Sequence, residues 1–108
     1  MNMQDDICLV LTTCPDRDTA ERLSAVLVEQ RLAACVSAGA EVISTYPWQG
    51  RVERESEVPL TIKTTRARVS ALKQELVAQH PYEVPELLVV PVSDGLDDYT
   101  QWIRDWIQ

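Results

Sequence analysis

Two short apolar runs near the ends of the chain constrain the fold more than any other feature. Residues 7–13 read ICLVLTT and are followed by Pro15, and residues 87–92 read LLVVPV. Apolar runs of this length, rich in branched residues, are typical of buried β-strands. The chain has 108 residues, the size of a single domain, so we expect both strands to join one sheet within a domain at 1–108.

A helical pattern follows the first predicted strand. Asp16 or Asp18 can cap this helix, and we expect it to fade near Arg31. Its apolar residues recur at helical intervals: Ala20, Leu23, Val26 and Leu27. The spacing therefore predicts an amphipathic helix with one face against the sheet.

A second helical pattern precedes the last predicted strand. Thr64 or Thr65 can cap it, and it should end at His80, because Pro81 disfavours helical geometry in the residue before it. A short amphipathic helix is also predicted at the C-terminus. Its apolar and aromatic positions are Leu96, Tyr99, Trp102, Ile103 and Trp106.

Two long strands are predicted between the helices. Residues 35–46 form the first, in which Gly39 favours a bulge or bend. Residues 47–50 read PWQG, which is typical of a turn, and residues 52–64 return from it. Pro59 lies in the returning strand and predicts an edge position or a bulge, since proline donates no hydrogen bond to a ladder.

The order of these elements predicts an α+β, ferredoxin-like split βαβ sandwich (βαββαβ) with an added C-terminal helix. Two helices cover one face of such a sheet, and the chain leaves the other face and two strand edges open. Exposed apolar surface and unpaired edges favour association with further copies. We therefore expect the protein to be an oligomer.

The charge and the cysteine count limit the possible functions. Seventeen acidic residues outweigh ten basic residues, giving a net charge of −7. This balance argues against partners such as nucleic acid or anionic membrane, although it suits attraction of cations. The apolar runs are too short for a signal peptide or a membrane span, so we expect a cytoplasmic protein. The three cysteines, an odd number, are then expected to stay reduced.

Several segments together resemble the CutA divalent-cation-tolerance family, in register from about residue 9 to residue 102. They are LAACV at 32–36, STYPWQG at 44–50, Glu57, Lys63-Thr64, HPYEVPE at 80–86, Tyr99 and Trp102. The resemblance implies a PII-like homotrimer with a ferredoxin-like fold, in which strand edges pair between subunits. It also implies tolerance of copper and other divalent ions, without enzymatic activity.

Cys14 and His80 are the predicted metal ligands. Because the first and last strands should be neighbours and antiparallel, Cys14 and His80 are expected at the same edge of the sheet. Cys14 also precedes the first helix, whose N-terminus favours the thiolate form. Thiolate and imidazole suit copper and also zinc. The alternative is structural: a small buried cysteine and a histidine at a helix end.

The resemblance also shows a departure in the ligand set. Relatives described as metal-binding tend to carry a cysteine within the first strand and two histidines before Pro-Tyr. Here those positions hold Thr12 and Gln79, and only His80 remains. Metal binding should then be weaker or use carboxylates such as Glu83 and Glu86.

The aromatic residues Tyr46, Trp48 and Tyr82 are expected near this edge, either packed at a subunit interface or lining a cleft. Glu57 and Lys63 form either an ion pair between subunits or a solvated strand face. The chain has no phosphate-binding glycine-rich loop and no GxSxG motif. The sequence therefore predicts a metal-binding trimer, with a regulatory small-molecule-binding trimer or a ligand-free scaffold as alternatives.

Overall fold

The computed structural model describes residues 3–108. An antiparallel sheet is formed by β1 (Ile7–Cys14), β2 (Cys35–Ala38), β3 (Val42–Trp48), β4 (Arg51–Thr65) and β5 (Leu88–Pro91). Its order is β2-β4-β1-β5, and β3 also pairs with β4. The helices are α1 (Arg17–Glu29), α2 (Val69–Gln79) and α3 (Asp97–Ile107). This order confirms the ferredoxin-like arrangement. Residues 1 and 2 of the predicted domain lie outside the described residues.

The core lies between one face of the sheet and the helices α1 and α2. Alternate residues of β1 point into it, so Val10 and Cys14 are fully buried while Leu11 and Thr13 on the other face are only half-buried. The remaining core is supplied by aliphatic residues of both helices and of β4: Leu23, Leu27, Leu72, Leu76, Val58, Leu60 and Ile62. One face of the sheet is thus covered by helices, as expected.

The predicted strand at 35–46 is interrupted, and its two parts pair with the same neighbour. Ala38 pairs with Leu60 and Val42 pairs with Glu57, so three residues of one strand oppose two of β4. This extra residue is the irregularity predicted at Gly39. Pro59 lies opposite it, in a strand that has β1 on its other side. The edge position considered for Pro59 was therefore wrong, because the neighbouring strand is interrupted instead.

The predicted turn at 47–50 closes a tight hairpin. Trp48 pairs with Arg51, and only Gln49 and Gly50 connect the strands. Both connecting residues have positive φ, 49° for Gln49 and 77° for Gly50. This is the left-handed geometry of a two-residue turn that follows the twist of the strands.

The helix ends confirm some of the predicted caps and correct others. Asp16 caps α1 by accepting a hydrogen bond from the Thr19 amide at 2.7 Å. Neither Thr64 nor Thr65 caps α2. The hydroxyl of Thr64 instead donates to the Leu32 carbonyl at 2.7 Å, and a short 3₁₀ turn precedes α2. The helix ends before His80, whose backbone is extended.

The last strand and the terminal helix differ partly from expectation. Strand β5 is largely exposed rather than buried, because it lies at the edge of the sheet, where Leu88 and Val90 are exposed. Trp106 anchors α3, since its indole N–H donates to the Val28 carbonyl at 3.0 Å. Trp102 does not anchor the helix. Its side chain is half exposed and stacks on Tyr99.

Between residues 3 and 108, no helix is both long enough and apolar enough to cross a membrane.

Candidate functional site

His80 is held by two hydrogen bonds at the end of α2. Its Nδ1 accepts the backbone N–H of Tyr82 at 3.1 Å, and its Nε2 lies 2.7 Å from the carbonyl oxygen of Thr13. Because a carbonyl oxygen only accepts, Nε2 must carry the proton, so the ring is the neutral Nε2–H tautomer. Both nitrogens are therefore engaged, and a metal ion would have to displace one of these partners.

Cys14 is the last residue of β1, and its side chain is fully buried among core residues. Burial raises the pKa of the thiol from 9.0 to about 11, and the nearby carboxylates of Asp16 and Glu57 add to the increase. The expectation that the helix N-terminus favours the thiolate was wrong, since burial and these charges outweigh it. At neutral pH the thiol of Cys14 is protonated.

The topology brings the predicted ligands to one edge of the sheet, because His80 contacts the residue next to Cys14. Within residues 3–108, however, no group of three or more His, Cys, Asp and Glu side chains is arranged to hold a metal ion. Thr12 and Gln79 do not complete a set: Thr12 is buried with an unpaired hydroxyl, and Gln79 binds Glu75. One chain therefore does not provide a metal centre, and ligation by Cys14 and His80 stays a prediction.

A large acidic cleft lies beside this edge, between the β3–β4 hairpin and the loop after His80. Its volume is about 920 Å³. The lining residues are Thr13, Ser44, Thr45, Tyr46, Trp48, Glu53, Glu55, Glu57, Tyr82, Glu83, Val84 and Glu86. Five of them are glutamates, and no Lys, Arg or His lines the cleft within the described part of the chain. The cleft therefore combines carboxylates with three aromatic rings.

Glu57 is the most buried carboxylate of the cleft, with 8% of its surface exposed. One carboxylate oxygen, Oε2, accepts hydrogen bonds from the hydroxyls of Thr13 at 3.0 Å and Tyr82 at 3.1 Å. Neither partner carries a positive charge. Burial of a carboxylate without a cation is unfavourable, so Glu57 gives the cleft an uncompensated negative charge.

The two cleft tyrosines respond to this charge. Burial raises the pKa of Tyr82 to about 12, and both the hydrogen bond to Glu57 and the negative charge of Glu57 contribute. The pKa of Tyr46 is also raised, first by desolvation and then by Glu55, Glu57 and Glu53. Both shifts have the direction that a negative potential imposes on an acidic hydroxyl.

Three of the glutamates form a row along β4. Glu53, Glu55 and Glu57 are two residues apart, so their side chains leave the same face of the strand. Their Cα atoms follow one another at intervals of about 7 Å along the strand. Sequence reasoning named Glu57 but missed Glu53 and Glu55, although the alternation in ERESE at 53–57 is the signal that identifies them.

Lys63 lies six residues beyond Glu57 on β4 and, by alternation, on the same face of the strand. Its ammonium group is 5.8 Å from the centre of the Tyr99 ring. An ion pair between Glu57 and Lys63 of different subunits stays a prediction.

Fold and site together define a ferredoxin-like α+β sandwich with an acidic, aromatic cleft beside one end of its sheet. Comparison with known protein families identifies the family of the chain. The sequence model of the CutA1 divalent ion tolerance protein family matches residues 8–106. The chain belongs to this family, whose members are tolerance proteins rather than enzymes.

Relatives and solved structures agree with this assignment. The divalent-cation tolerance protein CutA of Pectobacterium atrosepticum is 46% identical over 99 residues, covering 92% of this chain and 90% of that protein. Human protein CutA is 40% identical over 98 residues, covering 91% of this chain and 55% of the human protein.

The same fold is found in two crystal structures of similar sequence. CutA of Xylella fastidiosa has a TM-score of 0.94 at 47% identity, with 95% of this chain and 99% of that chain covered. CutA1 of Oryza sativa has a TM-score of 0.95 at 30% identity, with 99% and 98% covered. The predicted family and fold are therefore confirmed.

Proposed function

We propose that the protein acts as a cytoplasmic homotrimer that binds copper or similar divalent metal ions at its acidic clefts. The observation that carries this proposal is the unpaired negative charge of the cleft. Five glutamates line it, and no basic side chain among residues 3–108 does. A cleft lined by one sign of charge concentrates counter-ions near its surface.

The proposed trimer supplies what one chain lacks. Copper and zinc bind nitrogen, sulfur or oxygen ligands at about 2.0–2.3 Å, so the ligands must converge on one point. The carboxylates of β4 are not arranged in this way within residues 3–108. The exposed apolar residues on the open face and the hairpin, such as Leu88, Val90, Ile43 and Val52, favour contact with another subunit. Ligands from two subunits would then meet at the cleft.

Calorimetric titration with Cu(II), and with Cu(I) on the reduced protein, tests this proposal. We expect saturable binding that is weakened by Glu57→Gln and unchanged by Glu21→Gln, since Glu21 is exposed on α1 and remote from the cleft. Cys14→Ser and His80→Ala test the predicted ligands. Light scattering on the same samples gives the oligomeric state. If the metal affinity is the same in the parent and in the variants of Glu57, Cys14 and His80, the proposed site is contradicted.

A second candidate function is regulation by a small molecule bound in the cleft, as in PII-type trimers. The volume of about 920 Å³ favours it, because clefts of this size accommodate metabolites and exceed the needs of one ion. The rings of Tyr46, Trp48 and Tyr82 provide the apolar surface that such ligands contact. A thermal-shift screen of metabolites tests this function, since a ligand of the native state raises the melting temperature.

A further inference from the structure

The arrangement of charge in the cleft differs from what a single metal ion requires. Glu53, Glu55 and Glu57 extend along one strand face, so the Cα atoms of the outer two are about 14 Å apart by strand geometry, and the three side chains are not arranged as a metal site within residues 3–108. A metal ion needs oxygens that converge within a few ångströms. A linear row of carboxylates instead matches a ligand that carries several positive charges along its length.

The buried end of the row points to a ligand more strongly than the exposed end. Glu57 is more than nine-tenths buried, and its Oε2 already accepts two hydroxyl hydrogen bonds. The hydrogen bonds of Glu57 to described residues all reach Oε2, so Oε1 has no hydrogen-bond donor among them. Because Glu57 lines the cleft, a donor entering the cleft can pair with this oxygen.

The aromatic rings supply the other half of the recognition. Ser44, Tyr46 and Trp48 are two residues apart and so share one face of β3, and Tyr46 lies directly opposite Glu53. Aromatic faces attract ammonium groups and also pack against methylene chains. An apolar wall beside a row of carboxylates therefore suits a flexible hydrocarbon chain with cationic groups at intervals.

We propose that the cleft binds an aliphatic polyamine, with its ammonium groups paired to the β4 glutamates and its methylene segments against Tyr46 and Trp48. The terminal ammonium group donates to Oε1 of Glu57. This inference rests on the small-molecule function proposed above and names its ligand class. The loop at 80–86 closes the other side, where Glu83 and Glu86 add negative charge.

Calorimetric titration of the intact oligomer at 0.15 M salt with butylamine, putrescine and spermidine tests the proposal. We expect affinity to rise with each added ammonium group and spermidine to bind one site per chain. The double variant Glu53→Gln/Glu55→Gln should weaken spermidine by about tenfold, since two charge-assisted contacts at an open site are lost. Glu57→Gln should weaken it at least as much.

Matched controls separate site binding from general attraction to an acidic surface. Glu21→Gln removes one charge from α1 and should change the affinity by less than about twofold. Glu55 is exposed and Glu53 is half-buried, and neither belongs to the core, so the melting temperature of the double variant should match that of the parent. The double variant keeps the test valid if Glu57→Gln folds poorly. Equal spermidine affinity in the double variant and the parent would overturn the proposal.

Further outcomes distinguish this proposal from those it rests on. Copper binding without spermidine binding overturns the polyamine proposal and leaves the metal function standing. Melting temperatures raised only by neutral or anionic metabolites overturn the ligand class and keep the small-molecule function. Loss of the oligomer in Glu57→Gln, with no spermidine binding by the parent, would show that a basic side chain of a second copy fills the cleft, which also overturns the proposal.

Discussion

The two halves of β4 have the same backbone conformation and opposite environments. Residues 58–65 pair with β1, have β2 on their other side at residues 60–63, and bury alternate side chains beneath the helices. Residues 51–56 pair with β3 alone and are largely exposed. The core half stabilises the fold, whereas an isolated two-stranded hairpin is marginally stable and needs support from elsewhere. The hairpin half is therefore the part of β4 on which the proposed binding and assembly depend.

The largest expected effect is a cavity in the core half. Ile62 is fully buried, so Ile62→Ala should lower the free energy of unfolding by about 2–5 kcal/mol. Val77→Ala is the control, because Val77 is half exposed on α2 and should change stability by less than about 0.5 kcal/mol. Chemical denaturation at fixed protein concentration measures both. If both variants lost the same free energy of unfolding, the core half of β4 would not contribute more to stability than an exposed helix position.

Charge placed on the outer face of the hairpin should act on assembly instead. Ile43 is 64% exposed and its side chain lies on the face opposite the cleft. Ile43→Asp should reduce the oligomer mass toward that of one chain while the far-ultraviolet circular dichroism stays unchanged. Light scattering and circular dichroism measure these effects, with Val77→Asp as the control. If the oligomer mass stays unchanged in Ile43→Asp, the outer face of the hairpin does not form the subunit interface.

Two buried threonines of the core half should respond in opposite directions to the same substitution. Thr12 has an unpaired buried hydroxyl, so Thr12→Val should raise the free energy of unfolding by about 1 kcal/mol. Thr64 donates to the Leu32 carbonyl, so Thr64→Val should lower it by about 1 kcal/mol. Denaturant unfolding of both variants tests this contrast, and changes of the same sign would contradict it.

Alkaline pH should reveal the buried thiol. Because the pKa of Cys14 rises from 9.0 to about 11 on folding, its contribution to stability is complete below pH 9 and is lost between pH 9 and pH 11. Cys14→Ala should therefore show a shallower decrease of stability than the parent over this range. Melting temperatures between pH 8 and pH 11 measure the difference, and parallel curves would show that Cys14 ionises without penalty.

The same division between core and exposed regions separates the features that the sequence predicted from those that it missed. Apolar alternation and helical spacing predicted the core, because burial imposes those patterns on β1, α1 and α2. The sequence missed the unpaired hydroxyl of Thr12 and the two hydrogen bonds of His80, since both depend on contacts between distant segments. It also missed the row of glutamates, because alternating charges on an exposed strand resemble an ordinary solvated face.

Hydrogen exchange of the parent and of Ile43→Asp, measured by mass spectrometry, tests the division of β4 most directly. Peptides covering residues 51–56 should exchange much faster in the variant, while peptides covering residues 58–65 keep their protection. That result would establish that the hairpin half depends on other subunits and the core half does not. Equal protection of both halves in both proteins would contradict the account.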